Sequence, residues 1–209
     1  MIVERGEGLT PLAMEDIRTK ISDATQDLFL RDGIDGVSMR KVAEKVGVTA
    51  PAIYRYFRDK DELLNEIIRS GLEILADYLK PALEADDPYK RLRLLIDRYR
   101  DFAIEQPKYF DFAFLVPSRN MANIPEEIQR HNWTTFGMAV EQVSMCMEQG
   151  VFRQDDPLET SILLWATVHG LVILYRTERF GPDTEQFRQT YRKVVDRLLD
   201  ALKPGELSH

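Results

Sequence analysis

The sequence predicts an all-α fold of about nine helices, and three observations carry that prediction. Apolar residues recur at three- and four-residue spacing along most of the chain, as in Ile17, Ile21, Ala24 and Leu28. No sustained stretch alternates apolar and polar residues, and no Asn-Gly pair offers a hairpin turn. Prolines and glycines punctuate the periodic runs, at Pro81, Pro107, Pro117, Pro125, Gly150 and Gly181-Pro182.

Met1 to Thr10 is polar and glycine-bearing and reads as a disordered tail, drawn to residue 13 in the domain division. The first helix begins near Pro11 to Met14, with Phe29 as a large anchor beside the stripe, and Arg31-Asp-Gly33 ends it. Gly36 then permits a turn. Ser38 supplies a hydroxyl to an early backbone N–H of the next helix, whose stripe is Val42, Ala43 and Val46. Gly47 ends that helix where a positive φ is needed, because glycine has no Cβ to resist it. Val48 plugs the turn, Thr49 is placed to cap the following helix, and Pro51 sits in its first turn, where a missing N–H costs little. Ile53 and Phe57 point back to the core. Two short helices joined at a glycine make a helix-turn-helix pattern over Ser38 to Lys60.

Asp59-Lys-Asp-Glu62 then has the form of a capping box and opens a helix to about Leu79, stopped by Pro81, with Gly71 as a soft point. Asp87-Pro88 opens a helix carrying Leu92, Leu95, Ile96, Tyr99 and Phe102. Pro107 starts a short aromatic segment with Tyr109, Phe110, Phe112 and Phe114, and residues 118–124 read as a loop. Pro125 begins a helix carrying Ile128, Trp133, Phe136, Val140, Val143 and Met147. Asp156-Pro157 opens an apolar helix reaching Phe180, and the last helix bears Phe187, Tyr191, Val195, Leu199 and Leu202.

The outer face of the second short helix presents Ala50, Pro51, Tyr54, Arg55 and the flank of Tyr56, none needed by the local core. A short helix with a small N-terminal end, a basic side chain and phenols fits a DNA major groove. The net charge of −7 opposes DNA binding overall, but charge placement answers this. From Gly36 to Lys60 there are six basic residues (Arg40, Lys41, Lys45, Arg55, Arg58, Lys60) against two acids, a local excess of +4. Phosphate binding depends on such local contacts.

The residues Ala43-x-x-x-Gly47-Val48-Thr49, Ile53-Tyr54-x-Tyr56-Phe57 and Lys60-x-Glu62-x-Leu64 resemble the signature of the TetR family of bacterial transcriptional regulators, with Phe29 and Gly33 matching upstream. The resemblance covers residues 14 to 68. It implies a DNA-binding domain at 14–58, a linking helix at 59–80, and a helical ligand-binding and dimerisation domain at 81–209. It also implies phosphate or groove contacts from Thr49, Tyr54, Tyr56 and Lys60, and base reading by Arg40, Ala50, Pro51 and Arg55. Pro51 stands where many members carry glycine, so operator identity does not carry over.

In the C-terminal part, the Pro157 helix is apolar nearly all round from Ile162 to Tyr175, which calls for burial on most sides. With the last helix it suits a homodimer interface across a two-fold axis, with Gly170 as a close-approach point; a large monomeric core is the other reading. Trp165-Ala-Thr-Val-His169-Gly170 resembles a Trp…His-Gly motif of one TetR subgroup. His169 and Trp165 suit a ligand pocket or a packed core, and both readings stand. Phe110, Phe114, Trp133 and Phe136 are further candidates for lining an apolar cavity, against the alternative of a filled core.

Cys146 is the sole cysteine, which excludes an intramolecular disulfide and fits a reducing cytoplasm; packing suits it better than redox sensing. The N-terminus lacks the apolar core of a signal peptide, and the Ile162 to Tyr175 run falls short of a membrane span. Three scattered histidines show no metal-ligand spacing, and no phosphate-binding loop or nucleophile elbow is present, so neither an enzyme nor a cofactor is expected. The expectation is a cytoplasmic, dimeric repressor that binds a double-stranded operator and is released by a small, mostly apolar effector. The alternative is a DNA-binding regulator without such an effector, controlled by a protein partner.

Overall fold

The capping residues set the element boundaries, so the architecture follows from them. The computed structural model describes residues 11–115 and 126–205, with side chains over 16–115 and 134–205. Among the described residues there are nine α-helices and no strand, as the all-α expectation requires. They are α1 (Pro11–Gly36), α2 (Met39–Val46), α3 (Ala50–Ile53), α4 (Lys60–Leu79), α5 (Pro88–Glu105), α6 (Pro107–Leu115), α7 (Glu126–Glu148), α8 (Pro157–Arg176) and α9 (Thr184–Asp200). The expected loop at 118–124 and the tail over 1–10 lie outside the described residues, as does the side chain of Trp133.

Several boundaries differ from the sequence reading for identifiable reasons. Helix α1 starts at Pro11, within the expected start at Pro11 to Met14, and proline is tolerated in a first helical turn. Gly33, at φ 68°, interrupts α1 rather than ending it, and a last turn runs on to Gly36. Helix α8 stops at Arg176 instead of Phe180: Thr177 still donates its N–H to the Ile173 carbonyl at 2.9 Å, but Glu178 turns away at φ 58°. Helix α4 runs unbroken through Gly71. A Cβ there would lie 3.2 Å from the Tyr109 carbonyl oxygen on α6, which makes Gly71 a site of close helix approach.

The chain forms two compact units, Met1–Gly71 with Lys108–Ile128, and Leu72–Pro107 with Gln129–His209. Helix α6 from Lys108 onward therefore groups with the first unit. In the first unit Ile21, Leu28, Val42, Ala43, Ile53, Phe57, Leu63, Leu64 and Ile67 are buried. Phe29 on α1 meets Phe112 on α6 at 4.5 Å between ring centroids.

In the second unit, α5 packs with α8, and α8 with α9. Tyr191 is fully buried and donates its hydroxyl to the Ile96 carbonyl at 2.9 Å. Arg100 on α5 lies over the Tyr191 ring and pairs with Asp97 at 2.7 Å and Asp101 at 2.9 Å; Arg188 and Asp196 on α9 pair with Asp101 and Arg93. A buried guanidinium needs such partners, since removing one leaves an uncompensated charge. Cys146 is fully buried, and burial pushes its thiol up to about 11, which fits packing rather than reactivity.

Burial of α8 on most sides is not achieved within one chain. Leu158, Ile162, Leu163, Trp165 and Leu174 are all exposed, and a Cβ on Gly170 would meet nothing within 4 Å. By length and composition alone the whole of α8 could cross a membrane, a test that the core helix of a soluble protein passes as well.

Candidate nucleic-acid interface and effector site

Helix α2 is fixed at both ends by its own residues. The Ser38 hydroxyl accepts the Lys41 N–H at 3.3 Å. Gly47 takes φ 79°, the Val48 N–H reaches the Ala43 carbonyl at 3.0 Å and the Gly47 N–H the Glu44 carbonyl at 3.2 Å. That pair of bonds is a Schellman motif, and it directs the chain into α3. Helix α3 is one turn long, and the Phe57 N–H still reaches the Ile53 carbonyl at 3.0 Å. Ile53 and Phe57 are buried while Pro51, Tyr54 and Arg55 are exposed, so the helix has an inner and an outer face.

The expected side-chain cap from Thr49 is absent. The Ala52 N–H bonds the Thr49 backbone carbonyl at 2.9 Å instead, which leaves the exposed Thr49 hydroxyl without a capping duty. At α4 the Asp59 cap forms, and only the return bond of the capping box is displaced by one residue. Asp59 accepts the Glu62 N–H at 2.8 Å, but Glu62 accepts from the Arg58 N–H at 2.6 Å rather than from Asp59. That backbone bond from Glu62, with Arg58 adding to it, lowers the Asp59 carboxyl pKa.

The cations of this face fall into two groups. Arg40 and Arg55 are exposed and make no ion pair among the described residues. Lys60 is half-buried and donates its Nζ to the Ile34 carbonyl at 2.7 Å, leaving two of its three N–H donors for another acceptor. Lys45 pairs with Asp27 at 3.3 Å. Asp27 also holds Lys108 of α6 at 2.6 Å, and the Lys108 hydrogen bond is the main reason its pKa is lowered.

In the second unit α5, α7 and α8 bring an aromatic group together. Phe136 and Trp165 stand 5.8 Å apart between ring centroids, and Trp165 and His169 5.7 Å. The Tyr99 hydroxyl lies 2.7 Å from His169 Nδ1. Burial raises the Tyr99 pKa strongly, and a hydrogen bond from Trp165 offsets this in part. Burial also lowers the His169 pKa, so the ring is neutral at pH 7. An indole N–H only donates, so the phenol oxygen accepts from Trp165, while the direction of the bond between the Tyr99 hydroxyl and Nδ1 follows the tautomer of the ring.

The family described as bacterial regulatory proteins of the tetR family matches residues 21–67. The family described as tetracyclin repressor-like, C-terminal domain, matches residues 92–201, more than half of the chain. The chain belongs to the TetR family. It is similar to the HTH-type transcriptional regulator YobS of Bacillus subtilis, 23% identical over 161 residues that span 77% of this chain and 79% of that one. Its fold is similar to that of the ketosteroid transcriptional regulator KstR2 of Mycobacterium tuberculosis, with TM-score 0.74, 21% identity, and coverage of 96% of this chain and 100% of that one. It is also similar to FadR of Bacillus subtilis, solved in complex with stearoyl-CoA, with TM-score 0.72, 16% identity and coverage of 87% and 97%. The protein is a DNA-binding transcriptional regulator, and its family is one of regulators rather than enzymes.

For this TetR-family chain the helix-turn-helix candidates stand together in the first unit: Arg40 on α2, Thr49, Ala50, Pro51, Tyr54, Arg55 and Tyr56 on and around α3, and Lys60 at the start of α4. The effector candidates divide. Phe110 and Phe114, 5.0 Å apart between centroids, belong to the first unit, and Phe110 is fully buried. Phe136, Trp165 and His169 belong to the second. Tyr99 was read from the sequence only as an inward residue of α5; its bond to His169 spans 70 positions, and no local spacing announces it. Sequence spacing does not single out Arg18, because its partners, Tyr56 beyond the end of α3 and Glu66 on α4, are distant in the chain. Among the described residues no group of His, Cys, Asp or Glu is placed to hold a metal ion.

Proposed function

We propose that this TetR-family regulator is a dimeric, cytoplasmic repressor that inserts α3 into the major groove and leaves its operator when a small, mostly apolar molecule binds. The observation that carries the DNA-reading part is the outer face of α2 and α3. There Arg40 and Arg55 are exposed outside any described ion pair, and Thr49 has no capping duty. Arg suits base reading because its planar fork matches the acceptors of guanine, whereas Lys60 suits a phosphate as a point charge.

The effector part is supported by the group of Tyr99, Phe136, Trp165 and His169. Aromatic walls with one oriented polar chain are the composition of a site for an apolar molecule held in a defined orientation. FadR of Bacillus subtilis, of similar fold, holds stearoyl-CoA, whose long acyl chain supports the same class of cargo. The dimer is supported by the exposed apolar face of α8.

The test is selection of bound duplexes from a random pool, followed by a release screen on the recovered duplex with fatty acids, acyl thioesters and sterols. A two-fold symmetric duplex released by one of these classes is the expected result. Tight binding to such a duplex that no apolar compound releases would favour control by a protein partner.

A further inference from the structure

Helix α3 spans four residues, and a helix that short has no stability of its own. Its direction must be imposed from outside. At its entry the Schellman turn at Gly47 does this. Past its end at Ile53 the chain leaves through Tyr56 and Phe57, and the carbonyl of the half-buried Tyr56 takes a donor from another helix.

Arg18 on α1 supplies it. Its Nη2 donates to the Tyr56 carbonyl oxygen at 2.9 Å. The guanidinium carbon lies 4.9 Å from the centroid of the buried Phe57 ring. Its Nη1 is 3.9 Å from Glu66 on α4, and Glu66 in turn pairs with Arg69 at 3.0 Å. One planar group thus touches the segment that follows α3, its anchoring aromatic Phe57 and α4. A lysine would reach the carbonyl but would lose the fork and the flat face over the ring.

We propose that Arg18 is a positioning residue for DNA reading: it holds the exit of α3 against α1 and α4, and so sets the angle at which α3 meets the bases. Arg18 itself touches no base. The proposal rests on α3 being the reading helix.

The experiment uses the full chain, a duplex selected by the wild-type protein from a random pool, and a random duplex of equal length. Anisotropy titrations over a range of salt are run for Arg18→Gln, Arg18→Lys, Glu66→Gln and, as a control on the reading helix, Arg55→Ala. Thermal melts accompany each. Arg18→Gln should weaken the selected duplex about 10- to 100-fold, the range of one lost base-reading geometry, with little change on the random duplex. Its salt slope should equal that of wild type. Arg18→Lys should recover only part of the loss, and Glu66→Gln should show a smaller loss of the same kind. Should Arg18→Gln not fold, the lysine and Glu66→Gln variants carry the test.

Equal losses on both duplexes, with a slope reduced by about one, would make Arg18 a phosphate contact and overturn the proposal. A lower melting temperature with unchanged discrimination would make it merely structural, and full rescue by lysine would reduce its role to charge. If Arg55→Ala leaves discrimination intact, the assignment of α3 as the reading helix fails, and the proposal fails with it; intact discrimination in the Arg18 variants alone condemns only the proposal.

Discussion

The Tyr99 hydroxyl and His169 Nδ1 meet at 2.7 Å, joining α5 to α8 inside the second unit. Tyr99 is buried, so its hydroxyl needs a partner, and the neutral imidazole serves. Protonating His169 would change that pairing. Stability should therefore depend on this ring's charge state.

The first prediction gives the sign. Burial lowers the folded-state pKa of His169 below 6.5. Above that value both folded and unfolded rings are neutral, and the contribution is fully present. As pH falls below it the unfolded ring takes up a proton first, and stability is lost until the folded pKa is passed. Urea unfolding at pH 7.5 and at decreasing pH should show this loss, and His169→Gln should flatten it. Tyr99→Phe should cost about 1–3 kcal/mol at pH 7.5 by removing the hydroxyl from the bond to Nδ1.

The second prediction concerns the exposed cations. Binding to DNA should fall by about 10³–10⁵ between 50 and 200 mM salt if a dimer makes several phosphate contacts. Arg40→Ala and Arg55→Ala should each relax preference at particular base pairs by about 1–3 kcal/mol, while Lys60→Ala should weaken all sequences alike. Titrations on selected and random duplexes separate the cases, and a flat salt response would remove this face from consideration.

These residues also show which features the sequence made legible. Local chemistry was readable: Ser38, Gly47, Asp59, Asp87 and Asp156 all act within a few residues of their own position, and their caps form. The inward and outward residues of α3 were readable too, because helical period alone assigns them. What escaped is long-range or quaternary. The Tyr99–His169 bond and the Arg18 contacts depend on how distant helices pack. The sequence shows Gly71 only as a glycine inside a helix, and the approach of α6 to it is set by tertiary packing. The grouping of α6 with the first unit likewise rests on Phe29–Phe112 and Asp27–Lys108, pairs that no local spacing reveals.

The third prediction uses that contrast between glycines. Both Gly71 and Gly137 lie inside helices, where alanine is ordinarily favoured by about 0.5–1 kcal/mol. A Cβ on Gly137 meets nothing within 4 Å, so Gly137→Ala should raise the melting temperature. A Cβ on Gly71 would press at 3.2 Å on the Tyr109 carbonyl, a backbone atom of another helix that yields little. Gly71→Ala should lower the melting temperature despite the gain in helix propensity. Equal stabilisation by both would show that α6 gives way freely.

The last prediction tests the proposed dimer through α8. Ile162, Ala166, Gly170 and Ile173 recur at three- and four-residue spacing, so they share one face of the helix. Ile162 is 48% exposed, Ala166 is exposed, and Leu163 and Leu174 flank the strip in the open. An apolar strip with small residues at its centre lets two helices approach closely, and covering it removes apolar surface from water at about 25 cal/mol per Å². Ile162→Asp should therefore yield a monomer by sedimentation. It should also cost operator affinity about 10²–10⁴, the advantage of binding a second half-site within one molecule. Gly170 separates interface from mere surface. Within one chain its Cβ would meet nothing within 4 Å, so Gly170→Ala should stabilise the monomer as Gly137→Ala does. In a dimer that packs on this strip, the same methyl group should hold the helices apart and raise the dimer dissociation constant. A Gly170→Ala protein that gains stability with an unchanged dissociation constant would show that no partner helix comes close at this point, and the interface would have to lie elsewhere.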